Sequence, residues 1–212
     1  NLGNLDAIAL DKTGTLTTGK PEVTAVYVRE GLSKERFLQM VCSIERYSNH
    51  PLAQAIVRYG SMHTELDYVK PESTEDVSGW GVQAVIEGQL WKVGKADFVG
   101  KEDAYSFHGG AAVNLAAEGN TVTFARDEEG IAGIIALKAV VRPEAIEAIH
   151  ILKSQGIYTV MLTGDGERTA AAIASELQMD EFHAECLPEK KVEEIKNMNS
   201  RFTTVAMVGD GI

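Results

Sequence analysis

Three short apolar runs each lead into an aspartate. Ala7-Ile8-Ala9-Leu10 runs into Asp11, Thr159-Val160-Met161-Leu162 into Thr163-Gly164-Asp165, and Val205-Ala206-Met207-Val208 into Gly209-Asp210. Runs without polar alternation suit strands buried on both faces, as in a parallel sheet. Helical patterns surround the last two runs. Residues 143–155 open on a proline, place Ile146, Ile149 and Leu152 at helical spacing, and stop at Gly156. Residues 167–177 are alanine-rich and amphipathic, and residues 188–198 open on Pro-Glu with Val192 and Ile195 on one side. Strands alternating with helices predict an α/β doubly wound parallel-sheet domain. Ligands of such domains sit beyond the carboxyl ends of the strands, where all three aspartates fall.

The middle of the chain has another texture. Strand-like pieces at 23–28, 81–86 and 90–93 mix with helix-like pieces at 34–44 and 52–59. This predicts an α+β insertion over residues 20–130, roughly 110 residues and an ordinary domain size. It splits the first domain into residues 1–19 and 131–212, and the two connections, near 19–21 and 130–133, suit a hinge.

Composition narrows the function classes. Hydrophobic residues make up 44% and charged residues 24%, a globular balance. A formal net charge of -11 argues against nucleic acid or anionic lipid as partner, and the chain is expected to be monomeric. Two cysteines, Cys42 and Cys186, make no disulfide framework and fit a reducing compartment. The run at 131–137 is too short to cross a bilayer, and no signal peptide is visible. A start without Met and a stop just after Gly209-Asp210-Gly211 read as an excised fragment.

The chemistry concentrates at Asp11-Lys12-Thr13-Gly14-Thr15-Leu16-Thr17. An aspartate at a strand end, followed by a glycine turn and hydroxyls, offers a nucleophile and donors for phosphate oxygens. A carboxylate attacking phosphorus needs the surrounding charge cancelled, ordinarily by a divalent cation and a lysine. Asp210 is a candidate second magnesium ligand, and Lys191 is a candidate lysine near a helix start. A single aspartate before a glycine turn is ordinarily a capped turn; the whole string with two companion aspartates is not. Asp11, Asp165 and Asp210 are expected to repel a phosphate-bearing ligand and one another, so that magnesium is needed to offset the charge.

The string resembles the phosphorylation motif of P-type ATPases, a branch of the haloacid dehalogenase superfamily. Thr163-Gly164-Asp165 resembles that family's second motif, Gly209-Asp210-Gly211 its magnesium motif, and Pro188-Glu189-Lys190-Lys191 the segment that carries its phosphoryl-contacting lysine. The resemblance implies phosphorylation of Asp11 by ATP. It implies magnesium on Asp11, Asp210 and the carbonyl of Thr13, with Thr163 and Lys191 on the phosphoryl group and Asp165 on ATP. Phosphatases of the superfamily carry an acid/base aspartate two residues past the nucleophile. Thr13 stands there and cannot activate water in that way, so an aspartyl phosphate should persist.

The insertion holds a second set. Glu45-x2-Ser48-x-His50-Pro51, followed by Gly79-Trp80-Gly81 and Val93-Gly94-Lys95, resembles the nucleotide-binding domain of the heavy-metal-transporting subclass. The resemblance carries Glu45, His50, Gly79, Gly81 and Gly94 over as the ATP-binding residues. Individually, a histidine before proline is a turn residue and a Gly-x-Gly is a bulge or turn. Neither a dinucleotide fingerprint nor a Gly-x4-Gly-Lys-Ser/Thr loop occurs. Two departures stand out: Ala139 where the family has aspartate three residues before Arg142, and the lack of the Asn-Asp that follows Gly-Asp-Gly-Ile.

The implied function is the cytosolic catalytic unit of an integral membrane pump driven by ATP. Its cargo, a heavy-metal cation, would be handled by membrane helices absent from this sequence. A stand-alone phosphatase and a non-catalytic ATP-binding module are the alternatives. His183-x2-Cys186 is too sparse for a zinc site, and Trp80 and Trp91 read as core or rim residues.

Overall fold

The computed structural model describes residues 4–65 and 67–209. In chain order the elements are β1 (Ala7–Asp11), β2 (Glu22–Val28), α1 (Lys34–Glu45), α2 (Pro51–His63), β3 (Ser73–Val77), β4 (Gly81–Ile86), β5 (Gln89–Gly94) and α3 (Ala96–Val99). They continue as α4 (Lys101–Ser106), α5 (Ala111–Ala117), β6 (Thr121–Asp127), β7 (Gly130–Lys138), α6 (Pro143–Ser154), β8 (Tyr158–Leu162), α7 (Glu167–Glu176), β9 (Glu181–His183), α8 (Pro188–Arg201) and β10 (Val205–Val208). The chain divides into two compact units.

The first unit is built from the chain up to Gly19 and from Ala139 onward, with the short stretch Ala117–Gly119. Its sheet has the order β10-β1-β8-β9, with every neighbouring pair parallel. Successive side chains of β1 take opposite faces. Ile8 and Leu10 pack with Ile149, Ala170, Ile173 and Leu177, whereas Ala7 and Ala9 pack with Val160, Leu162 and Met198. Helices α6 and α7 thus cover one face and α8 the other, and this two-sided cover is why the apolar runs of β1 and β8 lack alternation; β10, expected to be buried on both faces, lies at the sheet edge and leaves Met207 and Val208 exposed. The chain steps from β1 outward to β8 and β9, then returns to the far side of β1 with β10. The strand order therefore reverses beside β1, the position where open α/β sheets bind ligands. The expected helix faces are narrower than their spacing implies: Ile149 and Met198 are buried, while Ile146 and Val192 are exposed.

The second unit comprises Lys20–Ala116 and Asn120–Lys138. It is an antiparallel sheet in the order β2-β7-β6-β5-β4-β3. Helices α1 and α2 pack on one face with Trp91, Val93, Ile135 and Leu137. The segment from α3 to α5 packs on the other face with Phe124, Ile131 and Ile134. Two caps fix the helix starts: Ser33 Oγ accepts the Arg36 amide at 3.1 Å, and His50 Nδ1 accepts the Leu52 amide at 3.2 Å, with Pro51 in the first turn.

The boundary expected at residue 130 is corrected to Lys138. Residues 130–138 are β7, which lies between β2 and β6 and is buried on both faces from Ile131 to Leu137. Pairing on both sides makes this strand part of the insertion's core. Gly133 is needed there, because an added Cβ would lie 2.6 Å from the Tyr27 carbonyl and 2.7 Å from the Phe37 ring. Among the described residues, no helix is long and apolar enough to cross a membrane.

Candidate active site and nucleotide-binding residues

Asp11 ends β1 at the reversal of strand order. The chain then leaves the sheet through a tight turn in which Gly14 takes φ 77°, a conformation that favours glycine. The Thr17 amide and hydroxyl both donate to the Lys12 carbonyl, at 3.1 and 3.2 Å, and the Gly14 amide donates to Thr17 Oγ1 at 3.3 Å. Arg142 clamps the turn from the start of α6. Its amide donates to the Leu16 carbonyl at 3.0 Å, Nε to the Thr17 carbonyl at 3.0 Å, and a terminal guanidinium nitrogen to the Gly14 carbonyl at 3.3 Å. Arg142 is thus satisfied by main-chain oxygens, with Ala139 in place of the family's acid.

Lys191 reaches Asp11 from the first turn of α8. Its ammonium donates to both carboxylate oxygens, at 2.9 and 2.8 Å. Gly209, just past β10, lies against the same carboxylate; a Cβ built on it would be 3.9 Å from Asp11 Oδ2. Asp210, the expected third magnesium ligand, lies outside the described residues. Thr13 is exposed, two residues past Asp11, and presents a hydroxyl where a carboxylate would act as acid and base.

Thr163 follows β8 and is 1% exposed. Its hydroxyl donates to Asp165 Oδ2 at 2.9 Å and accepts the Asp165 amide at 3.1 Å. The Cys186 amide donates to the Thr163 carbonyl at 2.9 Å, and the Glu185 amide to the Asp165 carbonyl at 2.8 Å. These bonds tie the Thr163 loop to the segment that leads into α8 and so to Lys191. Lys12 is buried and forms an ion pair with Asp165 Oδ2. A lysine thus faces each of Asp11 and Asp165 and offsets the repulsion expected between them. Asp11, Thr163, Asp165 and Lys191 thus come together. Lys12 and Arg142 join them, though neither was singled out for a role; the signal available for Lys12 was its place beside the nucleophile.

His183 and Cys186 do not face a common ligand. The imidazole lies 2.7 Å from a Glu181 oxygen and 3.4 Å from a Glu194 oxygen, while the thiol donates to the carbonyls of His183 and Ala184. Among the described residues no group of three or more metal-ligating side chains is present.

The second unit carries the other set. Glu45 ends α1 and is 7% exposed. Burial first, and the neighbouring charge of Asp76 on β3 second, together push its carboxyl from its ordinary value of 4.5 up to about 7. His50 is exposed at the start of α2. Gly79 turns the chain between β3 and β4 with φ 80° and open space around it. Gly81 and Gly94 face each other across β4 and β5. A Cβ on Gly81 would strike the Val93 carbonyl, and one on Gly94 would strike the Trp80 carbonyl. This apposition alone requires both glycines, and Lys95 closes it by donating its amide to the Trp80 carbonyl at 2.9 Å. Trp91 is core, whereas Trp80 stands 48% exposed between the glycines. Gly94→Ala is expected to destabilise the second unit by about 1–3 kcal/mol through overpacking. Chemical denaturation of the chain measures this, and an unchanged midpoint would contradict the apposition.

The haloacid dehalogenase-like hydrolase family model matches residues 5–212. The chain is 47% identical to the zinc-transporting ATPase of Bacillus subtilis (strain 168), over 100% of the chain and 33% of that protein. It is 41% identical to the zinc/cadmium/lead-transporting P-type ATPase of Escherichia coli (strain K12), over 100% of the chain and 28% of that protein. Among solved structures it is similar to a zinc-transporting PIB-type ATPase in the E2.Pi state, with a TM-score of 0.70 and 40% identity over 99% of this chain and 34% of that one. It is also similar to the catalytic domain of the CPx-ATPase CopB-B, with a TM-score of 0.74 and 25% identity over 98% of this chain and 74% of that one. The chain spans about a third or less of the curated relatives named here. It belongs to the haloacid dehalogenase-like hydrolase family and is similar, along its whole length, to part of the heavy-metal-transporting P-type ATPases.

Proposed function

We propose that this chain is the cytosolic catalytic part of a heavy-metal cation pump, and that Asp11 accepts the γ-phosphoryl group of ATP. The observation that carries the reading is Asp11 at the strand-order reversal, with Lys191 on both carboxylate oxygens. One Asp11 oxygen attacks the γ-phosphorus, the bond to the bridging oxygen breaks, and ADP leaves with the electron pair. Lys191 offsets charge on the attacking carboxylate and the transferring group. Water later attacks the aspartyl phosphate, releasing phosphate and restoring the carboxylate. Thr13 offers no base for that water, which supports a long-lived intermediate of the kind a pump requires.

Magnesium fits the donors available. The Asp11 carboxylate and the Thr13 carbonyl are hard oxygen ligands, and Asp210 would add a second carboxylate. When bound, the cation would supply charge neutralisation at the transferring phosphoryl group. Glu45, His50, Gly79, Gly81 and Gly94 would hold ATP on the second unit, and Asp165 would meet it on the first. The transported cation is cargo, and its selectivity would lie in membrane helices outside this sequence.

Titration of the chain with ATP, followed by NMR, tests the nucleotide assignment. Shifts are expected around His50, Gly79 and Gly94, and His50→Gln should weaken binding about tenfold, the equivalent of one good contact. Shifts absent from all three regions would refute the assignment. Brisk turnover of a generic phosphomonoester would favour a phosphatase instead.

A further inference from the structure

A buried lysine needs a reason, because ammonium groups are seldom taken out of water unless paired. Lys12 is 5% exposed and directly follows the nucleophile. Its side chain does not join Asp11. Its ammonium lies on Asp165 Oδ2, the oxygen that also accepts the Thr163 hydroxyl. Asp11 has its own ammonium in Lys191. Each of the two carboxylates thus faces a different lysine.

We infer that Lys12 is a positioning residue, which holds Asp165 so that the Thr163 hydroxyl is free to turn to a phosphoryl oxygen. This rests on the Asp11 reading above. The Thr163 proton is committed to Asp165 in the present arrangement, so donation to a phosphoryl oxygen requires that bond to break. Asp165 is partly buried, and a partly buried carboxylate that loses a donor is left less well satisfied unless another cation or donor stays on it. Lys12 already shares the same oxygen and keeps Asp165 paired and neutralised when the hydroxyl leaves. Without Lys12, Asp165 would lean more on the Thr163 hydroxyl and would bring more negative charge to the incoming phosphate.

The test is a double-mutant cycle in the full-length protein, read as the rate of phosphoenzyme formation from ATP and, separately, as ATP affinity. Lys12→Met should slow phosphorylation about a hundredfold, the order expected from misplacing one group at a reacting centre. ATP affinity should change by about tenfold at most, because every proposed nucleotide residue except Asp165 lies in the other unit. Lys12→Met combined with Asp165→Asn should be no slower than Asp165→Asn alone, since a neutral amide needs no counterion. Lys12→Arg should recover most of the rate. Lys12→Gln carries the same cycle if the methionine variant does not fold. Losses that multiply in the double variant would overturn the inference and leave the Asp11 reading intact. Absence of phosphoenzyme in the unmutated protein would overturn the Asp11 reading and this inference with it.

Discussion

Asp11→Asn is expected to lower phosphoenzyme formation and ATP turnover by about ten-thousandfold or more, the scale seen when a covalent nucleophile is removed. The amide is nearly isosteric, and β1 is hydrogen-bonded to β8 on one side and β10 on the other, so the strand should keep its place. What changes is charge and nucleophilicity. An amide oxygen does not attack the γ-phosphorus, and Lys191 loses the anion that now takes both of its bonds. ATP affinity should hardly alter, because Glu45, His50 and the glycines lie in the other unit. Rapid-quench kinetics and equilibrium binding on one preparation separate these effects. Turnover retained within tenfold would mean another residue carries the chemistry.

Glu45→Gln should act in the opposite sense on stability. The folded carboxyl, at about 7, lies well above its ordinary 4.5. The folded state therefore binds a proton that the unfolded chain has already released between those values. Stability from this group is lost as pH rises from about 4.5, and the loss is complete above about 7. A shift of this size corresponds to about 3 kcal/mol. Glutamine never ionises, so the variant should be more stable than the parent by about that amount at pH 8 and nearly equal to it at pH 4.5. The difference between the two proteins isolates Glu45 from other carboxyls, and urea denaturation at both pH values measures it. ATP binding should weaken in the same variant, because a destabilising buried acid beside the proposed nucleotide residues fits a functional trade-off. A difference that is flat with pH would contradict the burial argument.

The sequence made some elements plain for physical reasons. β1 and β8 are covered on both faces, so each reads as an unbroken apolar run leading into its aspartate, whereas β10 is equally apolar although Met207 and Val208 are exposed. β7 is apolar for the same reason, but an apolar run declares burial and not which sheet buries it, so the insertion ends at 138 and not at the expected 130. β3 reads Ser-Thr-Glu-Asp-Val and is an exposed edge strand, so no hydrophobic pattern marks it. The three residues of β9 are too few to show a period. In the site, Asp11 stood out through its local string and Lys191 through resemblance, since 180 positions separate them. The Lys12–Asp165 pair spans 153 positions, and only the return of β8 beside β1 brings the two together. Gly81 and Gly94 were read as ligand contacts, and the fold gives them a backbone apposition of their own.

The central claim is that the phosphoryl group of ATP passes to Asp11. Acid-quenched full-length protein, incubated with γ-labelled ATP and magnesium, should carry an acid-stable, hydroxylamine-labile acyl phosphate. Borohydride reduction followed by peptide mass spectrometry should convert position 11 to homoserine. Conversion at Asp11 alone, and none in Asp11→Asn, is the expected result. Label on any other residue, or label that survives in Asp11→Asn, would contradict it.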